Sequence, residues 1–295
     1  MLQRSVFAIA AFSSLSALCA LAADYDAGRK AGVSVVRVLA STPASHGSFG
    51  SGIVIPGGRV ATNCHVTHAA SRVSVVVDGA RSDVLEQVGD PAADVCVLRV
   101  SRLNIPAAQL ASSRSLQVGD QVTAVGFGGG FAKTVSPGKI TALFPYRGGY
   151  VIRATAAFRP GASGGGLFDR DGRLVGLITF FRRGADGLAF FAVPVEWIDQ
   201  LALSPIDKQT VGKPFWMLAP AEQPRFLRVA TFEADGKWSD MASAAREWTL
   251  EEPGASQAWE ALGRALINQG ERAEGAAAME RGLRAAASVS GAALQ

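Results

Sequence analysis

The chain has 295 residues, 48% of them hydrophobic, enough to bury one large core or two modest ones. Its formal charge of +4 is small and scattered, and the Arg182-Arg183 pair falls in a turn. That excludes a protein built around a basic nucleic-acid-binding face.

Residues 1–22 read as a signal peptide. Arg4 is its basic start, Val6 to Leu18 its short apolar run, and Ala20-Leu21-Ala22 its small-x-small cleavage site. A membrane anchor is the alternative, but the run is shorter than the ~20 apolar residues that span a bilayer. Leu18 precedes Cys19 where a lipoprotein signal wants a small residue, so no lipid anchor is expected there. The mature chain is expected to be periplasmic or secreted, without stable membrane insertion. Removing Arg4 leaves a charge of 4 − 1 = +3, and two cysteines, Cys64 and Cys96, in an oxidising compartment.

Residues 24–32 form a polar start. Val33 to Leu39 predicts a first strand, and Ala40 to Phe49 a Ser/Thr/Pro/His/Gly loop. Gly50 to Pro56 and Arg59 to Asn63 predict a hairpin about Gly57-Gly58. His65 to Ala70 predicts one helical turn. Arg72 to Val77 alternates Val73, Val75 and Val77, and Val84 to Val88 and Asp94 to Val100 complete about six short strands. That pattern suits a small antiparallel barrel.

Residues 101–118 read as a linker around Pro106. A second set of strands follows: Asp120 to Gly126, Lys133 to Leu143 broken at Pro137-Gly138, Tyr150 to Ala154, Arg173 to Phe181, and Gly187 to Val193. Beyond about Leu203 the chain turns helical, with helices predicted over Arg225–Glu233, Lys237–Leu250, Ala255–Gln269 and Arg272–Ser288. Ala276, Met279 and Leu283 are read as one side of the last helix. The fold class is therefore a double six-stranded antiparallel barrel, all-β, followed by a small α-helical C-terminal region.

Pro160-Gly161-Ala162-Ser163-Gly164-Gly165-Gly166 is a Gly-rich turn holding one serine. A serine hydroxyl needs a base beside it and donors facing the developing oxyanion. Alone, such a turn is most often just a loop. Thr62-Asn63-Cys64-His65-Val66 and Asp94-Val95-Cys96-Val97-Leu98 supply what the serine lacks, in the order His65, Asp94, Ser163. With Gly50-Ser51-Gly52-Ile53-Val54-Ile55, Ala156 to Gly165 and Phe190-Phe191-Ala192-Val193-Pro194, this ordered set resembles the trypsin-like (chymotrypsin-fold) serine peptidases, closest to the bacterial HtrA-type branch. The resemblance covers about residues 33–200. No PDZ segment is legible after the barrels.

The resemblance implies a peptidase domain over 24–203, with barrel one about 33–108 and barrel two about 118–200. It implies an endopeptidase that works through a covalent acyl-enzyme on polypeptide substrates. Ser163 attacks, His65 moves the proton and Asp94 orients the histidine. The N–H groups of Gly161 and Ser163 form the oxyanion hole. Ala162 stands where a polar or acidic residue is usual. Ala157 lies at the base of the primary pocket, and Thr179 and Phe180 on the strand beside the bound peptide. With no acidic residue at Ala157, small apolar side chains are the expected guests. Phe158, Phe180 and Phe181 restrict depth.

His46 lies in a variable loop and His68 one turn beyond His65, facing solvent. No cofactor is expected and no metal, since no second ligand stands at His-x-x-x-His or similar spacing from His65. Cys64 invites a cysteine-nucleophile reading, which the complete serine set outweighs. Asp90, the competitor of Asp94, reads as a turn former before Pro91. The triad geometry brings the segments of Cys64 and Cys96 together, which implies a disulfide between them. Cys96 falls two residues after Asp94, on the same side if the strand alternates. Two buried free thiols are the alternative.

Residues 215–288 resemble a degenerate tetratricopeptide unit, with Trp259, Leu262 and Gly263 at W-x2-L-G spacing and Gly275, Met279 and Gly282 at its second-helix positions. Plain Ala-rich helices are the alternative. Their apolar face implies packing on the barrels, on a protein partner or on a second copy. The rival readings of the whole are a catalytically weak peptide-binding scaffold and a chaperone-like envelope protein.

Overall fold

Alternating Val and small residues close residues 35–100 into a barrel. The computed structural model describes residues 31–42, 45–130, 132–184, 187–202 and 212–292; the leader read in 1–22 lies outside them. The first barrel comprises β1 (Val35–Thr42), β2 (Ser45–Ile55), β3 (Arg59–Thr62), β4 (Arg72–Val77), β5 (Ala80–Asp90) and β6 (Val95–Val100). They close in the order β1-β2-β3-β6-β5-β4, all neighbours antiparallel. Successive side chains on a strand point to opposite faces. One face therefore buries Val36, Val38, Val54, Val60, Val75 and Leu98 inside. Each such side chain is worth about 1.5–3 kcal/mol relative to exposure.

The second barrel comprises β7 (Gln121–Gly126), β8 (Thr134–Tyr146), β9 (Gly149–Ala154), β10 (Gly166–Asp169), β11 (Leu174–Gly184) and β12 (Gly187–Pro194). It closes in the order β10-β11-β12-β9-β8-β7. Ile140, Ile152, Phe158, Leu167, Ile178 and Phe190 are among its core. Each strand has a neighbour on both sides, although β11 outruns its pairing with β10, which ends at Gly166↔Leu177.

Several sequence expectations need correction. The first strand starts at Val35, because Gly32–Ser34 form a 3-10 turn that leaves Val33 exposed. Of the segment expected as a loop over 40–49, the described residues 40–42 and 45–49 are strand: β1 and β2 pair from Leu39↔Phe49 to Thr42↔Ser45. Pro137-Gly138 does not break β8. Pro137 pairs with Thr123 of β7, and pairing with β9 begins only at Ile140↔Ala154, so no ladder bond needs the missing N–H. The four-residue β10, directly after the serine turn, completes the second set.

A helix not foreseen, Glu196–Ala202, follows β12. Trp197 and Ile198 are buried, and the Glu196 carboxylate accepts bonds from Ser112 Oγ, Ser113 N and Ser113 Oγ. It thereby ties down the linker between the barrels.

The chain divides into two units, one of residues 1–180 with 190–212, the other of 181–189 with 213–295. With Cys64–Thr67 as α1 and Glu196–Ala202 as α2, the second unit contains α3 (Arg225–Ala234), α4 (Trp238–Glu251), α5 (Ser256–Gln269) and α6 (Arg272–Ala292). Within it, Arg182 donates to Thr231 Oγ1 and to the Trp216 carbonyl, and Arg264 pairs with Glu233. Gly270, at φ +91°, caps α5. A Cβ on Gly263 would meet Met279 Cγ at 2.7 Å and the Gly275 carbonyl at 2.9 Å, so α5 and α6 cross in close backbone approach. The packed stripe of α6 is Gly275, Ala278 and Gly282, with Met279 half-buried. Ala276 and Leu283 face away, and Leu283 is 71% exposed.

Candidate active site

The serine turn lies between β9 and β10, and backbone bonds hold its successive peptide planes. Gly129 N donates to Pro160 O at 3.0 Å, Ala162 N to Arg159 O at 3.0 Å, and Gly165 N to Ala162 O at 2.8 Å. Gly164 N donates to Ile178 O at 2.9 Å. Gly161 has φ +92° and Gly164 φ +84°, the left-handed region that favours glycine. A Cβ on Gly161 would also meet Phe127 O at 2.8 Å. Among the described residues, no protein acceptor takes the N–H of Gly161 or of Ser163. The Ser163 hydroxyl donates to Thr179 O at 3.0 Å.

His65 sits in α1, the single turn that ends β3. Its Nδ1 lies 2.7 Å from Asp94 Oδ2, and its backbone N–H donates to Asp94 Oδ1 at 2.9 Å. Both carboxylate oxygens of Asp94 are thus engaged by one residue. The His65 side chain keeps 28% exposure while that of Asp94 is wholly buried. A buried carboxylate is tolerated when it is hydrogen-bonded in this way. Asp94 stands outside β6, at φ +59° after the turn closed by Asp94 N to Pro91 O at 3.1 Å. Aspartate adopts that conformation more readily than most residues. Asp90 serves the turn, accepting from Ala93 N at 3.0 Å, and pairs with Arg147.

The structure joins Cys64 to Cys96, with Cα atoms 5.0 Å apart. Strand register brings them together. Thr62 pairs with Cys96 across β3 and β6, and Cys64 follows two residues later. Regular alternation from Asp94 is not the cause, since Asp94 precedes the strand.

Of the remaining sequence candidates, Ala157 is exposed, whereas Thr179 and Phe180 are buried. The Phe180 ring stacks on Phe191 at 4.7 Å, and Phe158 packs on Phe190 at 5.3 Å. His68 is exposed; the His46 side chain lies outside the described ones. Asn63, quoted in the sequence only as part of the histidine motif, is fully buried. Its Nδ2 donates to Asp94 O at 2.8 Å and to Thr179 Oγ1 at 3.1 Å. No local pattern announces that role, because its partners lie 31 and 116 residues away. Among the described residues, no three His, Cys, Asp or Glu side chains gather as a metal site.

Residues 50–177 match the family model described as trypsin-like peptidase domain. Over that span the chain is similar to trypsin-like serine peptidases, among them relatives of the HtrA/DegP kind. Among curated relatives, a probable periplasmic serine endoprotease DegP-like of Halomonas elongata is 37% identical over 158 residues, which are 50% of this chain and 33% of that one. The putative serine protease HhoB of Synechocystis is 33% identical over 176 residues, 56% of this chain and 42% of that one. This chain therefore spans less than half the length of either relative. Among solved structures, HtrA-type protease AlgW with tripeptide superposes with a TM-score of 0.53 to 0.54 at 29% identity, over about 60% of each chain. The matched span of the peptidase domain includes all three candidates, His65, Asp94 and Ser163.

Proposed function

We propose that the protein is an exported serine endopeptidase whose triad is Ser163, His65 and Asp94. The observation that carries this reading is the paired grip of His65 on Asp94, with Ser163 in a turn whose Gly161 and Ser163 N–H groups meet no protein acceptor among the described residues. Buried Asp94 accepts a hydrogen bond from Nδ1–H, which leaves Nε2 as the basic nitrogen of His65. At rest the Ser163 hydroxyl is held by Thr179 O. Rotation about its Cα–Cβ bond turns it to Nε2. The proton passes to Nε2 as Oγ bonds the scissile carbonyl carbon. The carbonyl oxygen gains charge and takes the N–H groups of Gly161 and Ser163. Collapse expels the amine, which leaves with the Nε2 proton. Water, giving a proton to the same nitrogen, then attacks the acyl carbon, and Ser163 Oγ leaves as it takes that proton back from Nε2.

Peptide binding by strand addition is supported by β11. Its pairing with β10 ends at Gly166↔Leu177, while β11 itself runs on to Gly184. Ala157, exposed and uncharged, favours small apolar side chains before the cleaved bond. Export to the periplasm is supported by the disulfide and by the relatives named as periplasmic. The test is cleavage of casein or a peptide library by the wild type and by Ser163→Ala. The variant is expected to lose several orders of magnitude while keeping its circular dichroism spectrum. Unchanged cleavage by the folded variant would end the proposal.

A further inference from the structure

We propose that Ser51 is a positioning residue that holds the oxyanion turn in its working form from the opposite barrel. The inference rests on the proposed hydrolase reading and adds a residue to its machinery.

Ser51 belongs to β2 of the first barrel, pairs with Arg37 of β1, and is wholly buried. Its polar atoms are spent on the second barrel and on β3. The backbone N–H donates to Ser163 O at 2.8 Å. The hydroxyl donates to Gly161 O at 2.9 Å and accepts from Phe127 N at 2.8 Å. The carbonyl accepts from Thr62 Oγ1 at 2.7 Å, which fixes the Ser51 peptide in turn.

These bonds fall on particular peptide planes. The Gly161 carbonyl belongs to the plane just after the Gly161 N–H, and the Ser163 carbonyl to the plane just after the Ser163 N–H. Ser51 therefore grips the turn immediately downstream of each proposed oxyanion donor. Upstream, the Pro160 and Ala162 carbonyls are held by Gly129 N and Gly165 N. At Gly161, φ +92° with no side chain gives the chain its easiest point of rotation. The Ser51 hydroxyl is the one side-chain group bonded to the Gly161 carbonyl among the described residues. Its second bond, to Phe127 N, anchors it to the loop whose Gly129 holds Pro160. One hydroxyl thus spans both sides of the Gly161 hinge.

Neighbouring glycines keep the approach close. A Cβ on Gly50 would meet Ser163 O at 3.1 Å, and one on Gly164 would strike Ser51 O. The Gly50-Ser51-Gly52 strand is thus a backbone contact surface for the serine turn, with one hydroxyl placed in it.

The test uses Ser51→Ala and the size-conserving Ser51→Cys, whose thiol is a weak donor. Loss of a direct oxyanion donor costs about 10²–10³ in kcat elsewhere. An indirect support is expected to cost about 10- to 100-fold in kcat per titrated active site, with KM changing under about threefold. Affinity for a peptide boronate, which places an oxygen among the oxyanion donors, is expected to fall by the same factor. Affinity for the cleaved peptide product is expected to hold. Ser51→Thr, which keeps the hydroxyl, is expected to recover most of the loss if it folds. A purely structural role would instead lower thermal stability with kcat per titrated site and boronate affinity unchanged, and that result would overturn the proposal. Amide chemical shifts of Gly161 and Ser163 give a readout independent of turnover. They are expected to move in Ser51→Cys, and unchanged shifts would overturn the inference even for an enzyme without measurable hydrolysis. A wild type that hydrolyses nothing, with those shifts moved, would count against the proposed function alone.

Discussion

The Asn63 side-chain amide reaches the Thr179 hydroxyl at 3.1 Å, joining the histidine segment of the first barrel to β11 of the second. The same amide holds the Asp94 carbonyl, and Thr179 passes its own proton to Leu177 O at 2.8 Å. Proposed base, orienter and substrate strand therefore share one buried side chain. Asn63→Ala leaves two buried acceptors without that donor and is expected to cost about 1–3 kcal/mol of stability. Asn63→Asp is expected to cost more, because it also buries a charge near Asp94. Urea denaturation measures both, and a cost below about 0.5 kcal/mol for the alanine variant would place the contact among incidental ones.

The disulfide closes a separation of 32 residues. By loop-closure entropy it is expected to contribute about 2–4 kcal/mol. Cys64→Ala combined with Cys96→Ala should lose that stability while keeping the proposed hydrolysis, since Ser163 and not a sulfur is the proposed nucleophile. Denaturation of the double variant, beside non-reducing peptide mapping of the native protein, decides it. Separately alkylated Cys64 and Cys96 peptides from protein blocked at lysis would contradict the pairing.

Ala157 brings no charge to the proposed pocket. Library profiling is expected to give cleavage after Ala, Val or similar residues. A dominant preference for Arg or Lys would show that the pocket lies elsewhere.

Gly263 and Leu283 should behave oppositely. Gly263→Val forces a side chain against the Gly275 backbone and is expected to destabilise the α5–α6 pair by about 1–3 kcal/mol or more. Leu283→Ala removes an exposed side chain and is expected to stay within about 0.5 kcal/mol. Limited proteolysis across residues 238–292 reads the difference, and equal protection of the two variants would refute the assigned packing.

The helices show where sequence reading succeeds and where it slips. Their bounds were legible from apolar period, Pro and Gly, to within a few residues. The packed face of α6 was not, because close backbone approach selects Gly275, Ala278 and Gly282, and small residues carry little hydrophobic signal. The strands of the first barrel were legible where valine alternates, as at Val73, Val75 and Val77. The stretch around Ser45 to Phe49 was not, since its pairing is made by backbone at a rim poor in apolar side chains. The contact of His65 with Asp94 follows from the ordered set of motifs, in which Ser163 is the proposed nucleophile. Ser51 and Asn63 stood inside those motifs without a role, because a role fixed by partners 31 to 116 residues away leaves no local trace.

The central claim is that Ser163 is a nucleophile activated by His65 and Asp94. The most direct measurement is labelling of the purified mature protein with a fluorophosphonate probe, read by intact mass and peptide mapping. One adduct per chain is expected, on the peptide containing Ser163, lost in Ser163→Ala and strongly slowed in His65→Ala. A folded wild type that takes no probe, or takes it on another residue, would contradict the account.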